Sequence, residues 1–386
     1  MDKKIYFDNG STSWPKAPGV ADAMSQLLLN GAFNINRGNY EGAYEVESIV
    51  YETRELLAKL FNCPDSRNVI FTPGITHSLN YFIKGFLKSG DHVIVSGLEH
   101  NAVMRPLQQM LSNGVSFDIA VTDAEGNVDV AHIGELIRPE TKAVIMTHAS
   151  NVCGTVVPIK EIGEICEKHG IFFVVDSAQS AGTIEVNMQE NKIDFLAFTG
   201  HKGLLGPQGI GGFLISDELN EQMDSYIAGG TGSISDSYEM PETLPDKYES
   251  GTMNLPGIIG LHAALKYIQE VSLDVIHTKK MELAGYFISK IKDMPGVRIA
   301  GRQDTSDRVA VVAVDFTEWD NAMVAFDLEQ EYGIMTRVGL HCAPLAHKTL
   351  GTYPQGVVRF AFSASNTKEE VDICIDGINK LLYIDE

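Results

Sequence analysis

Between residues 68 and 215 the sequence alternates short apolar runs with longer stretches in which apolar residues recur every three or four positions. The short runs predict strands, and the longer period predicts helices. Strands are predicted at residues 68–72, 92–96, 115–120, 143–147, 171–175, 193–198 and 210–215. Regular alternation of strand and helix is typical of a parallel sheet joined by right-handed crossovers. We therefore predict an α/β fold with a mainly parallel, doubly wound sheet.

The sequence becomes irregular after this sheet. Residues 229–235 are rich in glycine and serine, and residues 240–248 contain two prolines, which predicts a long loop at an active-site mouth or a subunit interface. A smaller α/β unit is predicted beyond it, with strands at residues 309–314 and 357–362 and helices at residues 257–270, 276–291, 321–332 and 368–382. We predict a large domain of residues 15–258 and a small domain formed by residues 1–14 and 259–386.

Composition limits the classes of partner and compartment. The 386 residues are 44% apolar and 21% charged, as in an ordinary globular protein, and the net charge of −21 disfavours nucleic acid and anionic membrane as partners. No run of 18 apolar residues and no signal peptide is evident, so we expect a cytoplasmic protein. The five cysteines are scattered, without a C-x-x-C pair, which predicts free thiols in a reducing compartment.

A lysine and an aspartate follow two neighbouring predicted strands. Lys202 ends the sequence Thr199-Gly200-His201-Lys202, and a lysine fixed just beyond a strand suits a Schiff base with an aldehyde cofactor. Asp176 ends the preceding strand, where it could pair with the pyridinium nitrogen of pyridoxal phosphate (PLP). Each alone has an ordinary alternative, a solvated loop lysine or an aspartate that caps a helix. Together they favour a PLP site.

Other loops of the large domain carry further candidates. Ile75 and Thr76 lie in the first turn of a predicted helix, where backbone N–H groups and the helix dipole attract phosphate; a helix merely capped by threonine is the alternative. Arg37, in a polar loop, either reaches a bound anion or lies on the surface. His100 can stack on a cofactor or move protons, although a lone loop histidine is more often a surface residue.

The small domain contains a cysteine with basic neighbours. Cys342 follows His341 and lies near Arg337, and such neighbours favour the nucleophilic thiolate; a buried, inert cysteine is the alternative. Arg359 alternates with apolar residues on a predicted strand and could bind a substrate carboxylate through two hydrogen bonds. His341 and His347 with one cysteine fit no structural zinc pattern, so we expect no metal.

Taken in order, these segments resemble the class V aminotransferase-like PLP enzymes, most closely the cysteine desulfurase and selenocysteine lyase group. The matching motifs are SNVCGT (150–155), VDSAQ (175–179), TGHK (199–202), ESGT (249–252), RVGLHCA (337–343), VR (358–359) and NT (366–367). The chain departs from the usual pattern at Ile75, His77 and Leu340. The resemblance covers nearly the whole chain and implies the fold-type I PLP fold, with a large PLP-binding domain, a smaller C-terminal α/β domain and a homodimer.

The resemblance also implies roles for individual residues in cofactor binding. Lys202 would form the Schiff base, Asp176 would pair with the pyridine nitrogen, His100 would stack on the ring and Gln179 would hydrogen-bond the phenolic oxygen. The phosphate would be held by Ile75, Thr76, Thr199, His201 and, from the other subunit, Thr252.

For the substrate, the resemblance implies that Asn151 and Arg359 orient L-cysteine and that Cys342 takes its sulfur as a persulfide, releasing L-alanine. The sulfur would pass to an acceptor protein. Three alternatives remain open: a selenocysteine lyase acting on L-selenocysteine, a class V aminotransferase or other PLP lyase in which Cys342 is incidental, and a catalytically silent protein of the same fold.

Overall fold

The computed structural model describes residues 4–35, 38–234 and 236–383. Its strands are β1 (Ile5–Tyr6), β2 (Val69–Thr72), β3 (His92–Ser96), β4 (Ser116–Ala120), β5 (Thr141–Thr147), β6 (Phe172–Asp176), β7 (Phe195–Thr199), β8 (Gly211–Ile215), β9 (Val297–Ala300), β10 (Val311–Phe316), β11 (Ile334–Met335), β12 (Arg337–Gly339) and β13 (Val357–Ala361). Its helices are α1 (Val20–Asn30), α2 (Glu41–Phe61), α3 (Ile75–Gly85), α4 (Asn101–Met110), α5 (Val130–Leu136), α6 (Ile159–His169), α7 (Asp217–Gln222), α8 (Leu255–Val271), α9 (Leu273–Ile291), α10 (Asn321–Tyr332), α11 (Pro344–Thr349) and α12 (Lys368–Tyr383).

Within these described residues, the large sheet has seven strands in the order β2-β8-β7-β6-β5-β3-β4. Strands β4, β3, β5, β6 and β7 pair in parallel, whereas β8 runs antiparallel to both β7 and β2. The prediction of a mainly parallel sheet is therefore confirmed.

Helices cover both faces of this sheet because its strands are apolar on both sides. Val174 and Ala197 face a core shared with α3 and α4, and Val175 and Leu196 face the opposite core, to which α2, α6 and α8 contribute. Burial on both faces explains why the strands read as continuous apolar runs rather than as alternating patterns. The doubly wound α/β architecture is confirmed.

The small domain is built on a four-stranded antiparallel sheet in the order β12-β13-β10-β9. Its core includes residues of α9, α10 and α12. Strand β1, from the start of the chain, pairs in parallel with β11, so the N-terminal segment joins this part of the molecule. Helix α12 begins with a capping box, in which Thr367 Oγ1 accepts from the Glu370 N–H and Glu370 accepts from the Thr367 N–H, each at 3.3 Å.

Two parts of the small domain differ from the sequence prediction. The segment predicted as one loop from Arg337 onward begins with strand β12 and continues into helix α11. The predicted division at residue 258 falls inside α8, whose Leu261 and Leu265 pack in the core of the large sheet. The division into domains stays a prediction.

The described residues contain no helix long and apolar enough to cross a membrane. The five cysteines are free thiols: Cys153, Cys166 and Cys374 are buried, Cys63 is half-buried and Cys342 is exposed.

Candidate active site

Parallel strands of the large sheet end at one edge, and the loops that follow them carry most of the candidate residues. The loop after β5 contains Asn151, β6 ends at Asp176, and Lys202 lies three residues after the end of β7. His100 immediately precedes α4, after β3. The carboxyl ends of strands in an open α/β sheet form a crevice that binds ligands. Residues far apart in the sequence therefore meet at one site.

Asp176 and Lys202 are electrostatically coupled across neighbouring loops. Asp176 is 2% exposed, and its Oδ1 accepts a hydrogen bond from the Ala178 N–H at 2.9 Å. This contact belongs to a turn and not to a helix, so the helix-cap alternative is wrong. Burial raises the pKa of Asp176, and the positive charge of Lys202 opposes the shift. Burial lowers the pKa of Lys202 to about 8, with Asp176 opposing that shift.

A second carboxyl group, which the sequence did not reveal, lies behind Asp176. Glu99 is fully buried, and its Oε1 accepts from the Ser96 hydroxyl at 2.6 Å and from the Thr147 N–H at 2.9 Å. Thr147 in turn stands opposite Asp176 in the register of β5 and β6. Burial raises the pKa of Glu99 to about 8, with a smaller contribution from the charge of Asp176. Glu99 is therefore mainly neutral at pH 7.

His100 is half-buried at the start of α4. Its Nδ1 accepts from the Ala102 N–H at 3.0 Å, so the proton of the neutral ring resides on Nε2. Burial lowers the pKa of His100 to about 4, and the positive charges of Lys202 and Arg359 add to the shift. A neutral imidazole in this position presents an uncharged face to a neighbouring group, which is the form suited to stacking.

Residues predicted to hold phosphate lie where β7 and α3 come together. A Cβ atom on Gly74, the residue before α3, would lie 3.8 Å from Oγ1 of Thr199. No side chain caps α3, and within the described residues the N–H groups of Ile75 and Thr76 have no acceptor, so the alternative of a threonine-capped helix is wrong. Nδ1 of His201 is buried, also with no partner in the described part of the chain. Unpaired N–H groups at a helix start form an anion site.

Arg359, on β13, is 2% exposed and is held by several oxygens. Its Nη1 donates to the carbonyl of Asn151 at 2.9 Å, and its Nη2 donates to Oδ1 of Asp8 at 2.9 Å and to the Ser11 hydroxyl at 2.6 Å. A Cβ on Gly10 would lie 3.0 Å from Cζ of Arg359, so the absence of a side chain leaves room for the guanidinium.

The carbonyl oxygen of the same Gly10 accepts a hydrogen bond from Nε2 of Gln179 at 3.0 Å. Gln179 is predicted from the resemblance to contact the phenolic oxygen of the cofactor. The contact with Gly10 ties this side chain to the N-terminal segment that also carries Asp8 and Ser11.

The loop carrying Cys342 is fastened to this site on both sides. The side-chain amide of Asn151 donates to the carbonyl of His341 at 2.8 Å, and the N–H of Asn101 donates to the carbonyl of Cys342 at 2.8 Å. His341 and Cys342 both have left-handed backbones, with φ of 47° and 56°. Cys342 is exposed, so the buried-cysteine alternative is wrong. His341 is buried, and burial lowers its pKa to about 2.

Two candidates are not gathered into the site. Thr252 is exposed and lines a cleft with Pro73 and His77, without a hydrogen bond to the phosphate-binding residues in the described part of the chain. Arg37 lies outside the described residues. The structure adds Asp8, which lies 351 positions from its partner Arg359, so no local pattern could have revealed the pair.

Comparison with known proteins identifies the family. The sequence model for aminotransferase class-V matches residues 5–374. The chain belongs to the class-V aminotransferase family. Two relatives named as cysteine desulfurases align with almost the full length of this chain. A probable cysteine desulfurase of Pyrococcus abyssi is 32% identical, across 98% of this chain and 94% of the relative, and cysteine desulfurase CsdA of Escherichia coli is 31% identical, across 100% and 95%.

Solved structures agree with this class-V assignment. The apo structure of cysteine desulfurase from Thermococcus onnurineus NA1 matches with a TM-score of 0.92 and 31% identity, covering 98% of this chain and 94% of that one. The structure of Escherichia coli CsdA in its S-sulfonic acid form matches with a TM-score of 0.89 and 30% identity, covering 98% and 94%.

Class-V aminotransferases are PLP-dependent, and the residues of this site fit that cofactor. Several polar groups of the site have no partner in the described residues and would be paired by PLP. The N–H groups at the start of α3 and Nδ1 of His201 could bind its phosphate. Asp176 is a buried carboxyl group that would suit the pyridine nitrogen, and Lys202 has an amine that would suit the aldehyde.

Proposed function

We propose that the chain is a PLP-dependent cysteine desulfurase that converts L-cysteine to L-alanine and retains the sulfur as a persulfide on Cys342. The observation that carries the proposal is the attachment of an exposed thiol to the substrate side of the site. The loop of Cys342 is hydrogen-bonded to Asn101, next to His100, and to Asn151, whose carbonyl binds Arg359. Full-length relatives named cysteine desulfurase support the same activity.

The chain's own residues divide the work of binding and proton transfer. When bound, PLP supplies an electron sink that acidifies the Cα proton of an attached amino acid. Asp176, a buried carboxylate, holds a proton on the pyridine nitrogen. Lys202, with its pKa near 8, is able to remove the Cα proton of the substrate and return a proton to the product. Arg359 binds the substrate carboxylate.

The sulfur step takes place between Cys342 and the substrate, for which bound PLP would supply the electron sink. The Cys342 thiolate attacks the Sγ atom of L-cysteine, a sulfur–sulfur bond forms, and the Cβ–Sγ bond breaks with its electron pair going to carbon. Protonation of that carbon and the return of a proton to Cα by Lys202 complete L-alanine, and the outer sulfur stays on Cys342. A thiol reductant or an acceptor protein then takes this sulfur by thiol exchange. L-selenocysteine would undergo the same steps at selenium.

The exposed position of Thr252 favours a homodimer. Thr252 is expected to reach the cofactor phosphate of the other subunit, since in the described residues it makes no hydrogen bond to the phosphate-binding residues of its own chain. Light scattering of the PLP-loaded protein should give twice the chain mass, and a monomer that turns over L-cysteine would contradict the dimer. We also propose a cytoplasmic location, which the free thiols support.

The test of the proposed function is the release of alanine and sulfide from L-cysteine with a thiol reductant. The PLP-loaded wild type should release both in equal amounts, and Cys342→Ala should release neither while keeping its bound PLP. Cys63→Ala, which removes a half-buried thiol outside the site, is the matched control and should keep wild-type activity.

Other outcomes would favour the alternatives. Full activity in Cys342→Ala, or transamination that leaves pyridoxamine phosphate, would favour an aminotransferase or another lyase. Absence of turnover with any amino acid would favour a silent protein. Faster turnover of L-selenocysteine than of L-cysteine, lost in Cys342→Ala, would favour a selenocysteine lyase.

A further inference from the structure

A second cavity lies beside the site, between the N-terminal segment, the junction of α8 and α9, and the loop after β13. It has a volume of 350 Å³, which lies at the small end of the range for ligand pockets in proteins. Four lysines line it: Lys16, Lys202, Lys279 and Lys280. None of its lining residues is an aspartate or a glutamate. This is notable in a chain with 51 acidic and 30 basic residues.

The lysines of this cavity have no carboxylate partner. Within the described residues, no carboxylate oxygen lies within 4.0 Å of Lys16, Lys279 or Lys280. Lys16 is half-buried and donates to the Thr12 and Ser13 hydroxyls at 3.0 and 3.2 Å and to the His201 carbonyl at 3.0 Å, so it contributes charge but no free N–H group. Half-buried ammonium groups without counter-ions favour an anion from solution, because desolvated charges are stabilised by pairing.

Of Lys16 and Lys280, which are both half-buried, Lys280 is the one with N–H groups that lack a partner in the described residues. Its Nζ donates to Oγ1 of Thr183 at 3.0 Å, which leaves two of its three N–H groups without a partner in the described part of the chain. Burial alone lowers the pKa of Lys280 to about 8, as it does for Lys16. Both ammonium groups are therefore still mainly charged at pH 7.

The other residues that line the cavity indicate which further groups the ligand carries. Ser363 and Ser365, in the loop after β13, also line the cavity. The Ser365 hydroxyl donates to Oγ of Ser363 at 3.1 Å, which leaves the Ser363 hydroxyl to donate to an oxyanion. Tyr267, Val271 and Val275 give the opposite wall an apolar surface. Lysines bind phosphate as point charges, and an apolar wall suits the body of a phosphate ester.

We propose that this lysine cavity binds a phosphate-bearing anion at a site separate from the phosphate-binding residues at the start of α3. The shared chemistry is a dianionic phosphate, either free or as the monoester of a small apolar group. The cavity adjoins the site of the reaction proposed above through Lys202, but lysines 16, 279 and 280 take no part in that reaction.

The experiment is calorimetric titration of the PLP-loaded protein, in which the cofactor already fills the α3 site. The probes are inorganic phosphate and phenyl phosphate, at constant ionic strength set with chloride. We expect one saturable site per chain for at least one probe. Tighter binding of phenyl phosphate would identify an ester as the ligand, and tighter binding of inorganic phosphate would identify the free ion.

Substitutions then test whether the binding measured by calorimetry takes place in this cavity. Lys280→Met keeps the aliphatic stem and should weaken binding about tenfold, as expected for loss of one charge-assisted contact. Lys279→Met, at an exposed position, tests the cavity again without disturbing the core. Lys266→Met is the control, because Lys266 lies on the neighbouring helix α8 but pairs with Glu52. It should bind as the wild type does.

Either of two results would overturn the proposal. One is the absence of a saturable site for both probes. The other is unchanged affinity in Lys280→Met and Lys279→Met, each shown by its cofactor absorbance and thermal midpoint to be folded.

Discussion

Arg359 and Asp8 form a buried ion pair in which Nη2 of the arginine lies 2.9 Å from Oδ1 of the aspartate. The Asn151 carbonyl and the Ser11 hydroxyl complete the contacts of the two terminal nitrogens, whereas Nε is buried without a partner in the described residues. These contacts fix the orientation of the guanidinium group. The free N–H of Nε remains available to a substrate carboxylate.

Arg359→Lys tests this arrangement. Lysine keeps the charge, but its single nitrogen cannot reproduce the contacts of Nη1 and Nη2 and also reach the carboxylate as Nε does. We expect KM for L-cysteine to rise about 10- to 100-fold, which corresponds to about 1.5–3 kcal/mol for a hydrogen bond to a charged group, with a smaller change in kcat. Steady-state alanine release measures both constants. Arg337→Lys, at a half-exposed residue, should change KM less, and an unaltered KM in Arg359→Lys would contradict the role.

The pKa of Lys202 predicts how cofactor uptake depends on pH. Burial lowers this pKa to about 8, and only the neutral amine reacts with an aldehyde. The initial rate of PLP uptake by the apo-protein should therefore rise about tenfold per pH unit below pH 8 and level off above it. Stopped-flow absorbance measures this rate.

The variant Asp176→Asn tests the origin of this pH dependence of PLP uptake. The carboxylate of Asp176 raises the pKa of Lys202, so its removal should move the midpoint of the uptake profile to lower pH. A pH-independent rate in the wild type, or a midpoint that moves upward in Asp176→Asn, would be inconsistent with this electrostatic coupling.

Glu99 predicts a pH dependence of stability. Its pKa is raised from 4.5 to about 8 on folding, so between these values the folded chain holds a proton that the unfolded chain has lost. The contribution of Glu99 to the free energy of unfolding is therefore greatest at low pH. It falls by up to about 1.4 kcal/mol per pH unit as the pH rises through this window.

Glu99→Gln should remove that slope, because glutamine is neutral and its side-chain oxygen can still accept from Ser96 and from the Thr147 N–H. Urea unfolding at pH 5, 6, 7 and 8 measures the difference between variant and wild type. Parallel pH profiles for the two proteins would show that Glu99 is ionised in the folded chain.

The parts of the site that could be predicted from the sequence are those whose positions follow from local residue patterns and the order of the strands. Asp176 and Lys202 each follow a continuous apolar run, and adjacent strands β6 and β7 bring them together. The contact of Asp8 with Arg359 was not predictable, because it depends on how the N-terminal segment packs on β13. Strand β12 was missed because its three residues are polar, small or exposed and show no alternation.

Glu99 was missed for a different reason. It adjoins His100, and nothing in the sequence distinguishes a loop carboxylate from one buried against a neighbouring strand. Its burial follows from the pairing of β3 with β5, which brings the Thr147 N–H to it.

A buried ion pair connects α2 to the segment that carries Thr252. Arg54 and Glu249 are joined by two hydrogen bonds, Nη1–Oε1 at 2.9 Å and Nη2–Oε2 at 2.6 Å, and their side chains are 9% and 6% exposed. Oε1 of Glu249 also accepts from the Phe71 N–H at 2.6 Å. Removing one partner of such a pair leaves an uncompensated buried charge.

Arg54→Met should therefore lower the free energy of unfolding by about 3–5 kcal/mol, measured by urea denaturation. Glu249→Gln in the same background removes the stranded charge while keeping an acceptor for the Phe71 N–H, so the double variant should be more stable than Arg54→Met alone. The four proteins form a double-mutant cycle, and a coupling free energy below about 0.5 kcal/mol would mean that the two residues act independently.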